Sequence, residues 1–224
     1  CNFYKVKSLD GFGNFLRAEI SALGAIIDYL EITQKGKLPA LKAPIKENLE
    51  KFMQIDASTR RNLELTQTLS GSKKGSLLDV IDRTVTGPGA RLLEKRLSGT
   101  STCLNIINPR LDAIESYTSN NALRLEIQNI LRQTSDIERA FSRLSLDRGG
   151  PRDFVAIRNS LRIGQELSLG IIDINSDLIN NAKENLTGNG EIINLLDDVF
   201  GDDAPLLARD GGFVRSGFNK DLDE

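Results

Sequence analysis

Between residues 76 and 200 the sequence repeats one pattern: apolar residues at three-to-four spacing, interrupted by short breaks of Gly, Pro, Asn or Ser. A period near 3.6 buries one face of an α-helix, and such breaks end one helix and admit the next. Ser76 caps a turn carrying Leu77, Leu78 and Ile81, which Thr86-Gly87-Pro88-Gly89 breaks. Pro88 then fronts a helix with Leu92, Leu93 and Leu97. Asn108-Pro109 opens another, with Leu111, Ile114 and Tyr117, and Asn121 caps one with Leu123, Ile127, Ile130 and Leu131. Over residues 136–146 the stripe is Ile137, Ala140, Phe141 and Leu144, with Arg139 and Arg143 four apart on another face. Gly149-Gly150-Pro151 stops that helix and starts one with Phe154, Ile157, Leu161 and Leu167. Two more helices follow, around 176–186 and 190–200.

The flanks are less regular. Phe15, Leu16, Ile20, Leu23, Ile27 and Leu30 predict an amphipathic helix over 14–33 with Asn14 as its cap. The stretch 34–44 has two Pro and three Lys and no period, which marks a linker. Residues 45–56 suit one short strand, and Asp56 or Ser58 can cap a helix reaching Leu69. In the tail, Asp210-Gly211-Gly212 between Leu207 and Val214 predicts a hairpin. The expected fold is mainly α with a few short strands. No internal repeat period exists, which argues against a solenoid.

The chain of 224 residues contains no His. Ser-His-Asp and Cys-His nucleophile systems and His-ligated zinc are therefore excluded within it. Two cysteines, Cys1 and Cys103, are too few for a thiolate zinc site. A disulfide between them stays open, although so few cysteines fit a reduced, cytoplasmic protein better. No apolar run approaches the ~20 residues that span a bilayer. The first residue is not Met, so the expectation is a processed chain or an internal segment of a longer one.

Phosphate-cradling motifs are missing too. The single Gly-Lys, Gly36-Lys37, is followed by Leu38, so no G-x-x-x-x-G-K-[ST] occurs, and Gly87-Pro88-Gly89 reads as a helix-opening turn. Asp173, Asn175, Asp177 and Glu184 stand at calcium-loop spacing, but Leu178 occupies the position that requires Gly. Asp197-Asp198 and Asp202-Asp203 read as an acidic helix end and loop. No cofactor or metal is expected on these residues.

Residues 1–172 carry 25 basic and 19 acidic side chains, and residues 173–224 carry 4 basic and 12 acidic. Twelve arginines fall from Arg83 to Arg162. Arg60-Arg61, Lys73-Lys74, Arg148 and Arg152 could touch phosphates, but 12 aromatic residues are too few for base stacking. Such contact would be with the backbone and salt-dependent.

Ordered blocks then give the chain a relation. Residues 53–65, Met-Gln-Ile-Asp-Ala-Ser-Thr-Arg-Arg-Asn-Leu-Glu-Leu, closely resemble the opening of the core domain of the MutS family, bacterial DNA mismatch-recognition ATPases. Thr84-Val85-Thr86 with Gly89 and Arg91-Leu92-Leu93, then residues 110–115, resemble the next blocks. Asp136-Ile137-Glu138-Arg139, Arg143-Leu144-Ser145 and Pro151-Arg152-Asp153 follow in order. Arg209-Asp210-Gly211-Gly212, Gly217-Phe218 and Leu222-Asp223-Glu224 are similar to the segment entering the clamp. Upstream, residues 9–13, Tyr29-Leu30 through Gln34, and Leu38-Pro39 resemble the end of the connector domain. One departure stands at residues 98–102, where the family usually has Pro-Leu.

The resemblance implies a connector end at 1–38, a linker at 39–46 and the first part of a helical core, or lever, domain at 47–224, truncated before the clamp. It implies a non-catalytic segment that couples mismatch-DNA binding to a distant ATPase domain. ATP and magnesium would belong to the full-length parent, as would mismatched duplex DNA, a second copy and mismatch-repair partner proteins. The expected location is the bacterial cytoplasm at the nucleoid, with no membrane association. Arg139, Arg143, Gly149, Gly150, Pro151, Arg152 and Asp153 are the candidate bracing and hinge residues. Two alternatives remain open: a self-standing helical interaction module, and a module binding nucleic-acid backbone.

Overall fold

A computed structural model describes residues 3–35, 38–39, 41–170 and 176–223. The protein is mainly helical: α1 (Arg17–Thr33), α2 (Ala57–Asn62), α3 (Leu77–Ile81), α4 (Gly87–Ser98), α5 (Leu104–Ser119), α6 (Asn121–Leu131), α7 (Ile137–Ser145), α8 (Pro151–Gly170), α9 (Asp177–Asn185), α10 (Gly190–Val199) and α11 (Lys220–Asp223). Short polar side chains start many of them. Asp56, Ser76, Thr86, Asn120 and Asp136 each accept a hydrogen bond from the backbone N–H three residues on. This satisfies one of the donors that a helix start leaves free.

Helix α8 is the axis. Helices α6, α7, α9 and α10 pack on it, and α5 packs on α6 and α9. Ala113 of α5, Leu167 of α8 and Ile179 of α9 form the buried core, with Tyr117, Ile127, Ile130, Ile163 and Leu186 closing on it. A second cluster lies toward the start of α8. There Phe154 stacks on Phe200 with ring centroids 5.0 Å apart, and Phe200 lies 6.3 Å from Phe213.

Several boundaries differ from expectation, each for a local reason. Asn14 does not cap α1; Leu16 holds that place, and its N–H donates to the Glu19 carboxylate at 2.6 Å. Helix α2 stops at Asn62 rather than Leu69. Glu64 turns left-handed (φ 48°), and the Glu64 and Leu65 carbonyls accept from Leu77 and Leu78 instead. Asn120, not Asn121, caps α6. Asn108-Pro109 opens no helix: α5 begins at Leu104 and carries Pro109 inside it. In place of a strand over 45–56 there is a 3₁₀ turn at Leu49–Lys51 and one antiparallel bridge from Phe52 to Ser101. The tail hairpin does not close on itself either. Gly211 and Gly212 do turn with positive φ, but Val214 bridges to Phe200, because Phe213 seeks the Phe200 ring.

Candidate functional site

Helices α7 and α8 meet at a junction built by backbone needs first. After Ser145 the chain turns through Asp147, which is left-handed (φ 53°), and the Arg148 N–H donates back to the Arg143 carbonyl at 2.9 Å. Gly149 and Gly150 follow because nothing larger fits. A Cβ on Gly149 would stand 2.6 Å from Leu144 Cδ2, and one on Gly150 would stand 2.3 Å from the Leu206 carbonyl oxygen. Pro151 then opens α8, where its missing N–H costs nothing. It is buried there.

Asp153 ties the junction together. Its Oδ2 accepts from the Gly150 N–H at 3.0 Å, while the Asp153 N–H donates to the Gly150 carbonyl at 2.9 Å. Its Oδ1 accepts from Nε of Arg143 at 3.1 Å and from Nη2 of the same guanidinium. The carboxylate is 13% exposed. Burial pushes the Asp153 carboxyl up, but the Arg143 and Gly150 hydrogen bonds outweigh it and hold the group below its ordinary 3.8. The same bond raises the Arg143 guanidinium. Arg152 reaches the other way, its Nε donating to the Ala204 carbonyl at 3.0 Å. The junction is thus fastened both to α7 and to the 204–206 loop.

Arg139 contributes less. It is 71% exposed, and its Nε stands 3.6 Å from Asp136 Oδ2. Arg91 of α4 is the stronger partner of Asp136, with bonds of 2.7 and 3.0 Å, and it also reaches Glu138 at 2.8 Å. The Arg91 hydrogen bonds lower the Asp136 carboxyl against its burial and raise the Arg91 guanidinium. A Cβ on Gly87 would stand 2.9 Å from Asp136 Oδ2, so Gly87 lets α4 approach this closely. Six of the seven candidates, all but Pro151, line one cleft of about 690 Å³ together with Arg148. Arg148 in turn donates to Gln34 Oε1 at 3.0 Å, tying the junction to the end of α1.

One functional-looking group escaped the sequence reading. Arg158, on α8, is 1% exposed. It donates to the Phe200 carbonyl at 3.0 Å and pairs with Asp202, while Asp197 Oδ1 stands 3.3 Å from its Nη1. Arg162 shares Asp197. The signal was present: Arg158 stands four residues after Phe154 and three before Leu161, on the apolar stripe itself. The downstream Asp pairs, read as an acidic helix end and loop, supply its countercharges through Asp197 and Asp202.

The remaining candidates are dispersed. Arg60 donates to the Ser98 carbonyl, and Lys73 stands 3.8 Å from Asp82. Asp177 and Glu184 lie on α9, while Asp173 and Asn175 lie outside the described residues, as do Cys1, Gly36 and Lys37. Cys103 carries a free thiol. Among the described residues no group of three or more Cys, Asp or Glu could hold a metal ion. Nor is any described helix long and apolar enough to cross a membrane.

The family model for MutS domain III matches residues 58–217, and that for MutS domain II matches residues 1–42. A DNA mismatch repair protein MutS of Ruegeria sp. (strain TM1040) is 52% identical over 225 residues. Those of Ruegeria pomeroyi and Paracoccus denitrificans are 53% and 49% identical. Each alignment covers 100% of this chain and 26% of the relative. The chain therefore spans about a quarter of the length of the curated relatives it matches.

Proposed function

The chain belongs to the MutS family, and from that premise we propose that it is the mechanical coupler of a longer mismatch-repair protein. In this reading residues 1–38 end a connector domain, 39–46 link, and 47–224 begin the core. Mismatched duplex DNA, a second copy, repair partners and a bacterial cytoplasmic setting at the nucleoid belong to the full-length protein. ATP and magnesium belong to another part of it. The residues here do not fit them, since no G-x-x-x-x-G-K-[ST] is present, and no chemical step runs through this segment.

The observation that carries the reading is the fastening of α8. Twenty residues of helix extend about 30 Å at 1.5 Å each. The N-terminal end is pinned at Asp153 to α7 and at Arg152 to Ala204, and further helices grip it along its length. A rod held this way moves with its neighbours rather than bending among them. It converts a shift at one end into a shift at the other, which is what coupling between distant sites requires. Arg143, Asp153, Arg152 and the two glycines hold the rod; they are positioning residues and touch no reacting atoms.

The test uses the full-length protein with Asp153→Asn and Gly150→Ala. Basal ATP hydrolysis and thermal stability are measured beside the stimulation of hydrolysis by mismatched duplex. The expected result is basal turnover near wild type with stimulation reduced by about fivefold or more, the lower end of allosteric coupling factors. Stimulation unchanged in both variants would refute the coupling role.

A further inference from the structure

A second cleft, of about 580 Å³, lies between the Phe52–Ile55 segment and helices α4 and α5. Its composition differs in kind from the α7–α8 junction. Part of the lining is apolar: Phe52 and Ile55 are half-buried, and Leu92 is 48% exposed. Beside them stand Arg60, Lys95, Arg96 and Arg110, with Glu47 the one carboxylate of the lining. In the first cleft Arg143 meets Asp153 and Arg139 meets Asp136, while Arg148 and Arg152 donate to Gln34 and to the Ala204 carbonyl. Here, among the described residues, none of Arg60, Lys95, Arg96 and Arg110 makes an ion pair with an acidic side chain. Desolvation, and then the neighbouring Arg110 charge, lower the Arg96 guanidinium from its ordinary value. Two like charges thus sit side by side in a concavity, and an oxyanion between them would relieve both.

We infer that this cleft is a docking site for an acidic polypeptide segment, with a carboxylate on Arg96 and Arg110 and an apolar side chain against Phe52 and Leu92. The mixed lining, apolar residues beside four cations and one carboxylate, decides the chemical class. A planar guanidinium takes a carboxylate through two parallel bonds, and a mixed apolar and cationic surface suits a chain that alternates acidic and apolar residues. Nucleic acid fits less well. Phe52 is the one aromatic residue in its described lining, whereas single strands bind on rows of stacked rings. The inference stands on this cleft alone and does not rest on the coupling role.

The experiment titrates the chain into a fluorescein-labelled peptide of alternating Glu and Leu and reads anisotropy. The same peptide with Gln for Glu, inorganic phosphate and a short random duplex serve as competitors. Saturable binding of the Glu peptide is expected, with little competition from any of the three. Arg96→Gln with Arg110→Gln is expected to weaken it by about tenfold or more, the loss of a charge-assisted pair. Arg96→Lys, which keeps the charge without the fork, is expected to fall between. Leu92→Asp puts a negative charge at a half-exposed position of the lining, and it should weaken binding comparably. Arg139→Ala, in the other cleft, should leave it unchanged. Circular dichroism confirms that each variant keeps its helices. Absence of saturable binding, equal binding of the Gln peptide, or displacement by phosphate or duplex at equivalent charge would each overturn the inference. So would retained affinity in the folded double variant.

Discussion

Two carboxylates share the buried guanidinium of Arg158, and burial decides which matters. Asp197 is 25% exposed and Asp202 is 78% exposed, although Asp202 makes the shorter contact. An ion pair in water contributes little, so Asp202→Asn should cost less than about 1 kcal/mol. Arg158→Ala removes one of two donors to the Phe200 carbonyl, Arg215 being the other, and leaves part of the Asp197 charge uncompensated. It should cost about 3 kcal/mol, moderated because Arg162 still holds Asp197. Urea midpoints on both variants check the ranking; equal losses would mean that the exposed pair, not the buried cation, carries the contact. The junction carboxylates make a separate, pH-dependent prediction. Asp153 and Asp136 both have folded values below the ordinary 3.8 of the unfolded chain. Their contribution is therefore fully present above about pH 5 and is lost as the pH falls below 3.8 toward the lowered folded values. Melting temperatures from about pH 7 down to about pH 3 should fall less steeply in Asp153→Asn than in the native chain. A parallel decline in the two would show that this carboxylate is not part of the acid response.

At the scale of elements, Pro109 is the anomaly. It lies five residues into α5, where it has no N–H for the Asn105 carbonyl and its ring crowds that turn. Pro109→Ala restores the bond. Proline costs ~3 kcal/mol against alanine inside a helix, and the more flexible unfolded chain of the variant returns ~1 of it. A net gain of about 1–2 kcal/mol is expected, read as a higher urea midpoint, and a loss would show that the ring packs usefully. The same proline explains a limit on what sequence could reveal. Asn-Pro reads as a helix start five residues after the real one, because Cys103, the residue that precedes the helix, offers no side-chain cap. Where capping chemistry is present the starts are legible closely: Ser76 is the cap read from sequence, and the expected front at Pro88 and cap at Asn121 each fall one residue after the observed start and cap. Pairings between distant segments were not, since Phe52 with Ser101 and Phe200 with Val214 depend on three-dimensional approach. The α7–α8 junction was legible in its residues because Gly-Gly-Pro flanked by Arg and Asp is a local pattern. Its fastening to Leu206 and Ala204 lies some 50 residues downstream, with no periodic signal linking the two.

For the whole molecule, area is the informative quantity. The described chain exposes 15866 Å². A compact monomer of 24.7 kDa should expose about 10,000 Å² by the usual scaling with mass. The excess of more than half is apolar in important places. Helix α1 buries none of its residues, although Ile20, Ile26, Tyr29 and Ile32 are all large. Such a surface is stabilised when another surface covers it, and contiguous apolar patches beyond a few hundred Å² are seldom left in water. The chain alone can cover them only with copies of itself. Sedimentation velocity should therefore show the average sedimentation coefficient rising with protein concentration. High salt should not abolish the rise, because apolar contact rather than charge drives it. Ile20→Glu with Ile26→Glu places two charges on α1 without disturbing any buried contact, so this variant should sediment as a monomer with unchanged helicity. If the native chain is already monomeric throughout, the exposed face of α1 is satisfied by water and needs no cover. If the double variant still associates, the adhesive surface lies elsewhere, and the exposed Leu206 and Leu207 loop beside the α7–α8 junction is the next place to charge.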